Sequence, residues 1–251
     1  MSKTEAEGRG VQVFEDAEAV ARAAAETFAR LAREAFEGRG AFSVALSGGT
    51  TPRRVYELLA SDEFRGRVPW EGVHVFFGDE RMVPPDHADS NYRMANEALL
   101  SRVPVPAENV HRIDGLGDAA ASASDYESVM RGFFGEEAEW PRLDLVFLGM
   151  GDDGHTASLF PGTAALGELR AWAAANWVEK LGAWRVTLTA PALNAARSVV
   201  FLVNGAGKAE RLREVLKGER DPSRLPSQLI DPRGGSLSWY VDSAAAAKLN
   251  E

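Results

Sequence analysis

Short apolar runs alternate with amphipathic stretches along most of this chain, and that alternation constrains the fold more than any other feature. The runs at 41–46 (AFSVAL), 73–77 (VHVFF), 143–149 (LDLVFLG), 184–190 (WRVTLTA), 198–205 (SVVFLVNG) and 237–242 (LSWYVD) are short and rich in β-branched and aromatic residues. They read as strands, with 110–113 (VHRI) as a further short one. Between them lie helical patterns. An Ala-rich stretch covers 16–36 and stops before Gly38, and 52–60 opens on Pro52, which a first helical turn tolerates. Ser90 is a candidate N-cap, and 118–134 and 207–218 follow, with a terminal helix expected over 243–249. Strands alternating with helices predict an α/β fold: a mostly parallel sheet with helices on both faces. No repeat, low-complexity tract or clear linker divides the chain, so 1–251 is expected to form a single domain.

Charge and residue usage narrow the partners. The net charge is −9, from 28 basic and 37 acidic residues, which argues against nucleic acid. A phosphate ligand would need a local positive site working against that field. The chain has no cysteine, which excludes disulfides, thiolate catalysis and Cys-based zinc sites. The four histidines, His74, His87, His111 and His155, show no metal-binding spacing, so no metal site is expected. The start, MSKTEAEGRG, lacks an apolar core, and no run approaches the length of a membrane span. A cytoplasmic protein is the expectation.

In open α/β sheets, ligands sit beyond the carboxyl ends of the strands. Four loops there carry chemistry. After 41–46 comes Ser47-Gly48-Gly49-Thr50-Thr51, whose glycines, hydroxyls and following helix N-terminus suit a phosphate dianion. It is not a Walker loop, and a tight turn with capping hydroxyls is the alternative. After 73–77 come Asp79, Glu80 and Arg81. Arg81 could clamp a phosphate or a polarised oxygen, and the carboxylates could hold sugar hydroxyls or orient Arg81; a solvated loop is the alternative.

After 143–149 comes LGMGDDGHTASLFPG (148–162), which contains G-x-G-x-x-G. A dinucleotide reading is opposed by Asp152 and Asp153, which put two negative charges where a pyrophosphate would lie. The only acidic ribose partner is Glu179, which comes late. Otherwise the glycines turn the chain so that Asp153 and His155 meet a ligand. A free imidazole titrates near about 6.5, and a neighbouring carboxylate can orient it as a base. His155 as the cap of a helix starting near Thr156 is the alternative. There is no G-x-S-x-G elbow, so water is the expected nucleophile if the chain is a hydrolase. After 198–205 come Gly207 and Lys208 in a first helical turn, where the helix dipole disfavours a cation unless an anion compensates. Arg185, at the start of RVTLT, is a weaker candidate.

The segments ALSGGTTP, FFGDERMVPPDHADSNYRMA, LDLVFLGMGDDGHTASLFPG and RVTLTAPALNAARSVVFLVNGAGKAE occur together and in this order. In them the chain resembles the 6-phosphogluconolactonase family. The resemblance implies hydrolysis of 6-phospho-D-glucono-1,5-lactone to 6-phosphogluconate in the oxidative pentose phosphate pathway. It also implies a one-domain fold shared with glucosamine-6-phosphate deaminase, no cofactor, and a small sugar-phosphate lactone as partner of a monomer or small homo-oligomer. By resemblance, His155 is the general base and Asp153 its neighbouring carboxylate. Ser47, Gly48, Gly49 and Thr50 form the phosphate loop, Lys208 is the GxxK lysine, and Asp79 and Arg81 belong to the DER motif. Arg185 is carried as a substrate-binding candidate, and the Gly154 turn is expected to supply oxyanion N–H groups.

The chain departs from the family pattern twice. Asp152 stands where proline is usual, which makes it non-essential. EKLGAW (179–184) replaces a KPP-containing stretch, so Lys180 receives no role. The deaminase is the rival reading. Its motif resembles DGHIAFNEP, with an acid before the proline where this chain has Phe160, and DEY, where this chain has Arg81. A non-catalytic sugar-phosphate-binding protein is a second alternative, opposed by retention of His155 and DER.

Overall fold

The computed structural model describes residues 9–249. In chain order the strands are β1 (Arg9–Phe14), β2 (Phe42–Leu46), β3 (Val73–Phe77), β4 (Asp79–Arg81), β5 (Leu145–Gly149), β6 (Ala173–Val178), β7 (Ala183–Leu188), β8 (Ser198–Val203) and β9 (Ser236–Asp242). Six of them form a parallel sheet in the order β1-β9-β8-β5-β2-β3. Every residue of β2 is buried, as a strand covered on both faces requires. The principal helices are α1 (Ala17–Arg39), α2 (Thr50–Leu59), α3 (Asn91–Ala95), α4 (Ala119–Phe134), α5 (Ala190–Asn194) and α6 (Ala209–Lys217).

Helix α1 starts where Asp16 accepts the Ala19 N–H at 2.8 Å. It runs past Gly38 to end at Gly40, whose φ of 75° supplies the left-handed C-cap. Its buried face is mostly alanine, with Phe28 edge-on to Phe42 at 5.2 Å between ring centroids. Helix α2 begins at Thr50, two residues before the expected Pro52. Gly49, with φ 108°, makes the turn, and no side chain caps it. Pro52 still lies in the first turn, so no intrahelical bond is lost.

The strand predicted over 184–190 is found as β7, but not in the parallel sheet. It forms a second, antiparallel sheet of order β4-β7-β6, against which α4 packs. The segment 110–113 makes only a single bridge, Val110 to Val75. The expected terminal helix over 243–249 resolves into turns. One buried apolar cluster extends from Val20 to Leu249 and includes residues of both sheets. No helix among the described residues is long and apolar enough to cross a membrane.

Candidate active site

Strands β8, β5, β2 and β3 are consecutive neighbours in the parallel sheet, so the loops that follow them emerge side by side at one edge. Side chains join these loops into a closed ring. Thr51 Oγ1 donates to Asn204 Oδ1 at 2.6 Å, tying the loop after β2 to that after β8. Asn91 packs so tightly on Gly48 that a Cβ there would overlap its amide. The same amide donates to the Asp79 carbonyl at 2.9 Å and to Asp79 Oδ1 at 3.3 Å. Ser158 Oγ donates to Asp79 Oδ2 at 2.6 Å, reaching the loop after β5. Lys208 closes the ring by pairing with Asp152.

His155 lies on the loop after β5, one of the four that these contacts join. Its Nδ1 meets Asp153 Oδ1 at 2.5 Å, and its backbone N–H donates to the same oxygen at 3.1 Å. The ring lies over Phe160, with centroids 4.0 Å apart and planes 24° apart. Asp153 Oδ2 is taken by Lys180. Burial pushes the Asp153 carboxyl up, but the hydrogen bonds from His155 and Lys180 prevail and hold it well below the usual carboxylate range.

The glycines of the motif serve this arrangement. A Cβ on Gly151 would overlap the His155 ring, and Gly154 takes φ 83°. Thr156 starts no helix. It bridges to Leu159 across Ala157, which at φ 46° is the sole non-glycine with positive φ among the described residues. That strained residue directs Ser158 back toward Asp79. The capping role for His155 is thereby discarded. The Gly154 N–H, expected to face an oxyanion, instead donates to the Gly151 carbonyl at 3.0 Å.

The DER motif divides its labour. Glu80 is buried and accepts from the backbone N–H groups of Arg81, Asn91 and Tyr92, so it anchors the start of α3. Burial raises its pKa despite those bonds. Asp79 is 7% exposed with both oxygens engaged; it ties loops together rather than presenting a free carboxylate to sugar hydroxyls. Arg81 faces Arg185 across the β4–β7 pair. Among the described residues neither guanidinium has a carboxylate ion-pair partner; Arg81 donates to the Asp89 carbonyl and Arg185 to the Trp184 carbonyl at 3.0 Å. Burial, and then the Arg81 charge, push the Arg185 guanidinium down from its ordinary value.

In the loop after β2, Tyr56 is the anchor: its hydroxyl accepts from Ser47 N–H at 3.0 Å and donates to Ser47 O at 2.9 Å. The Ser47 Oγ is buried without a partner. Among the described residues, the amides of Gly48, Gly49, Thr50 and Thr51 donate to no protein acceptor, which leaves the start of α2 open to an anion. Asp242 accepts twice from Gly205 N–H, at 2.9 and 3.0 Å, and so sets the loop carrying Lys208. The sequence alone assigns no function to Asn91, Ser158, Lys180 or Asp242. Their roles come from contacts between loops far apart in the chain.

A family model described as glucosamine-6-phosphate isomerases/6-phosphogluconolactonase matches residues 15–239. The chain belongs to this family. A 6-phosphogluconolactonase from Nostoc sp. is 47% identical over 219 residues, 86% of this chain and 88% of the relative. One from Rattus norvegicus is 38% identical, covering 96% of this chain and 93% of the relative. The solved 6-phosphogluconolactonase from Trypanosoma cruzi superposes with a TM-score of 0.84 at 29% identity, covering 96% of this chain and 97% of that one. A monomeric glucosamine-6-phosphate deaminase superposes with a TM-score of 0.80 at 18% identity, covering 95% and 99%. The solved lactonase and deaminase therefore share this fold, and the fold alone does not separate their chemistries.

Proposed function

We propose that this chain hydrolyses 6-phospho-D-glucono-1,5-lactone to 6-phosphogluconate, with His155 as the general base. The observation that carries the reading is the Asp153–His155 pair, set on a glycine turn beyond β5 in a loop tied by side chains to those carrying the free amides of 48–51 and Lys208. The 6-phosphogluconolactonase relatives support the same substrate. Phe160 supports lactonase over deaminase, since it stacks on His155 where ring-opening and amine chemistry would need an acid. One buried cluster joining both sheets supports treating the described residues, 9–249, as one domain.

In this reading the substrate phosphate docks on the free amides of 48–51, with Lys208 and Arg81 as counter-charges. Arg185 adds positive charge beside Arg81. In the neutral ring, Asp153 accepts from Nδ1–H, so the free lone pair is on Nε2, which can take a proton from water. Water attacks the lactone carbonyl carbon as it loses that proton, and Asp153 stabilises the imidazolium formed. The imidazolium then returns its proton to the ring oxygen as the C–O bond breaks. General-base assistance of this kind contributes roughly 10²–10⁴-fold. Every atom comes from lactone and water, so the step needs no cofactor.

The test supplies fresh lactone and glucosamine 6-phosphate to the purified protein in separate reactions. Acid release from the lactone, above the uncatalysed rate, is expected. Ammonia release from the amino sugar would overturn the reading.

A further inference from the structure

We propose that Lys180 is a positioning residue for the reaction. It holds the second oxygen of Asp153 so that the first faces His155 Nδ1, and its charge offsets that of the carboxylate. The proposal rests on the reading of His155 as the base.

Asp153 has two oxygens and two cationic or potentially cationic neighbours, His155 on Oδ1 and Lys180 on Oδ2. A carboxylate gripped at both oxygens cannot rotate away from the imidazole. Phe160 lies beneath both partners, with the His155 ring stacked at 4.0 Å and Lys180 Nζ at 4.8 Å from its ring centroid. The lysine arrives from the second sheet. It sits on the turn Glu179–Leu181 between β6 and β7, and Gly182, at φ 56°, lets that turn close. Strand β7 also carries Arg185, which lies opposite Arg81. The antiparallel sheet thus delivers charges to a site built mainly on the parallel one.

The charge has a consequence for the base. An unopposed carboxylate against Nδ1 strongly favours imidazolium, and an imidazolium cannot take a proton from water. A lysine on the far oxygen weakens that preference while keeping the orientation. Lys180 is half-exposed, so solvent screens its effect to a modest one.

Three proteins are compared: wild type, Lys180→Met, which keeps the stem over Phe160 without the charge, and Lys180→Arg, which keeps the charge. Two measurements are made on each, the pH profile of kcat/KM and the NMR titration of the His155 ring protons, assigned with His155→Asn. Lys180→Met is expected to move the ring titration and the acidic limb of kcat/KM upward together by about half a pH unit, with Lys180→Arg close to wild type. An unmoved ring titration in Lys180→Met overturns the proposal. So does a tenfold rise in KM with an unmoved acidic limb, which would make Lys180 a substrate contact. A ring titration that moves while the acidic limb does not would remove His155 as the base, and Lys180's place in catalysis with it. That outcome separates failure of the underlying reading from failure of the Lys180 contact.

Discussion

The pairing of Lys208 with Asp152 predicts a variant that binds substrate more tightly than the natural chain. A phosphate arriving at Lys208 must share or displace a carboxylate already there. The hydrogen bond from Lys208, and then its charge, accordingly hold the Asp152 carboxyl below its ordinary range. Asp152 is 85% exposed and Lys208 26%, so the pair belongs to the class of solvent-screened surface bridges. Such pairs contribute about 0.2–1 kcal/mol. Releasing Lys208 with Asp152→Asn should therefore lower KM by about 1.5- to 5-fold, with kcat unchanged because Asp152 touches no reacting group. Removing one negative charge near an incoming dianion acts in the same direction. The assay is initial-rate acid release from fresh lactone, corrected for spontaneous hydrolysis, at low and at high salt. The gain should shrink as the Debye length falls from about 10 Å at 0.1 M to about 3 Å at 1 M. Lys208→Ala should raise KM, and adding Asp152→Asn to it should change little further. A KM that stays the same or rises in Asp152→Asn, or the same drop in the Lys208→Ala background, would refute the competition.

Other perturbations bear on the base and on stability. His155→Ala should cut kcat by roughly 10²-fold or more while KM changes little; turnover near wild type would sink the assignment. Gly151→Ala should leave the protein folded by circular dichroism but lower kcat at least tenfold, because the added methyl displaces the His155 ring; full activity would show that the ring needs no such seat. The half-buried His74 and His111, with Nδ1 and Nε2 3.3 Å apart, should make the fold acid-sensitive. Burial, and secondarily His74, push His111 down to about 4. Its folded value thus lies below the unfolded value of about 6.5, so the unfolded chain binds the proton more readily. The associated stability is complete above about pH 6.5 and is lost as pH falls towards 4. After discounting for partial exposure this amounts to about 1–2 kcal/mol. Thermal melts of His111→Phe should lose less stability than wild type between pH 7 and 4.5; parallel pH curves would contradict this.

What the sequence made legible follows from where each signal resides. Strands β2, β3, β5 and β8 were readable because near-complete burial makes nearly every position apolar, whatever the partner strand. Strand β6 was not, because its alanines favour helix by propensity and only pairing with β7 makes it extended. Strand β4 is just three residues with three charges, and nothing local distinguishes it from a solvated loop. The site divides in the same way. His155, Lys208 and the glycine loop were visible as residue types at strand ends. The functions of Asn91 and Asp242 were not, since Asn91 joins Gly48 to Asp79 and Asp242 holds Gly205 only after the chain has folded.

The G-x-G-x-x-G at the end of β5 shows how one spacing can serve two unrelated purposes. In a dinucleotide fold the glycines clear space for a pyrophosphate and for close helix packing. Here Gly151 clears space for the His155 ring, and no helix opens at Gly154. The chain instead turns through Ala157, and that turn brings Ser158 to Asp79 and Phe160 beneath His155. Phe160 therefore acts twice. It withholds the acid that deaminase chemistry would use, and it provides an apolar platform on which the imidazole and Lys180 both rest. Placing a carboxylate there would remove that platform and set a negative charge beside the imidazole. Both changes would favour a permanently protonated His155. Exchanging lactonase for deaminase chemistry on this scaffold would thus require rebuilding the support of His155 along with the acid itself.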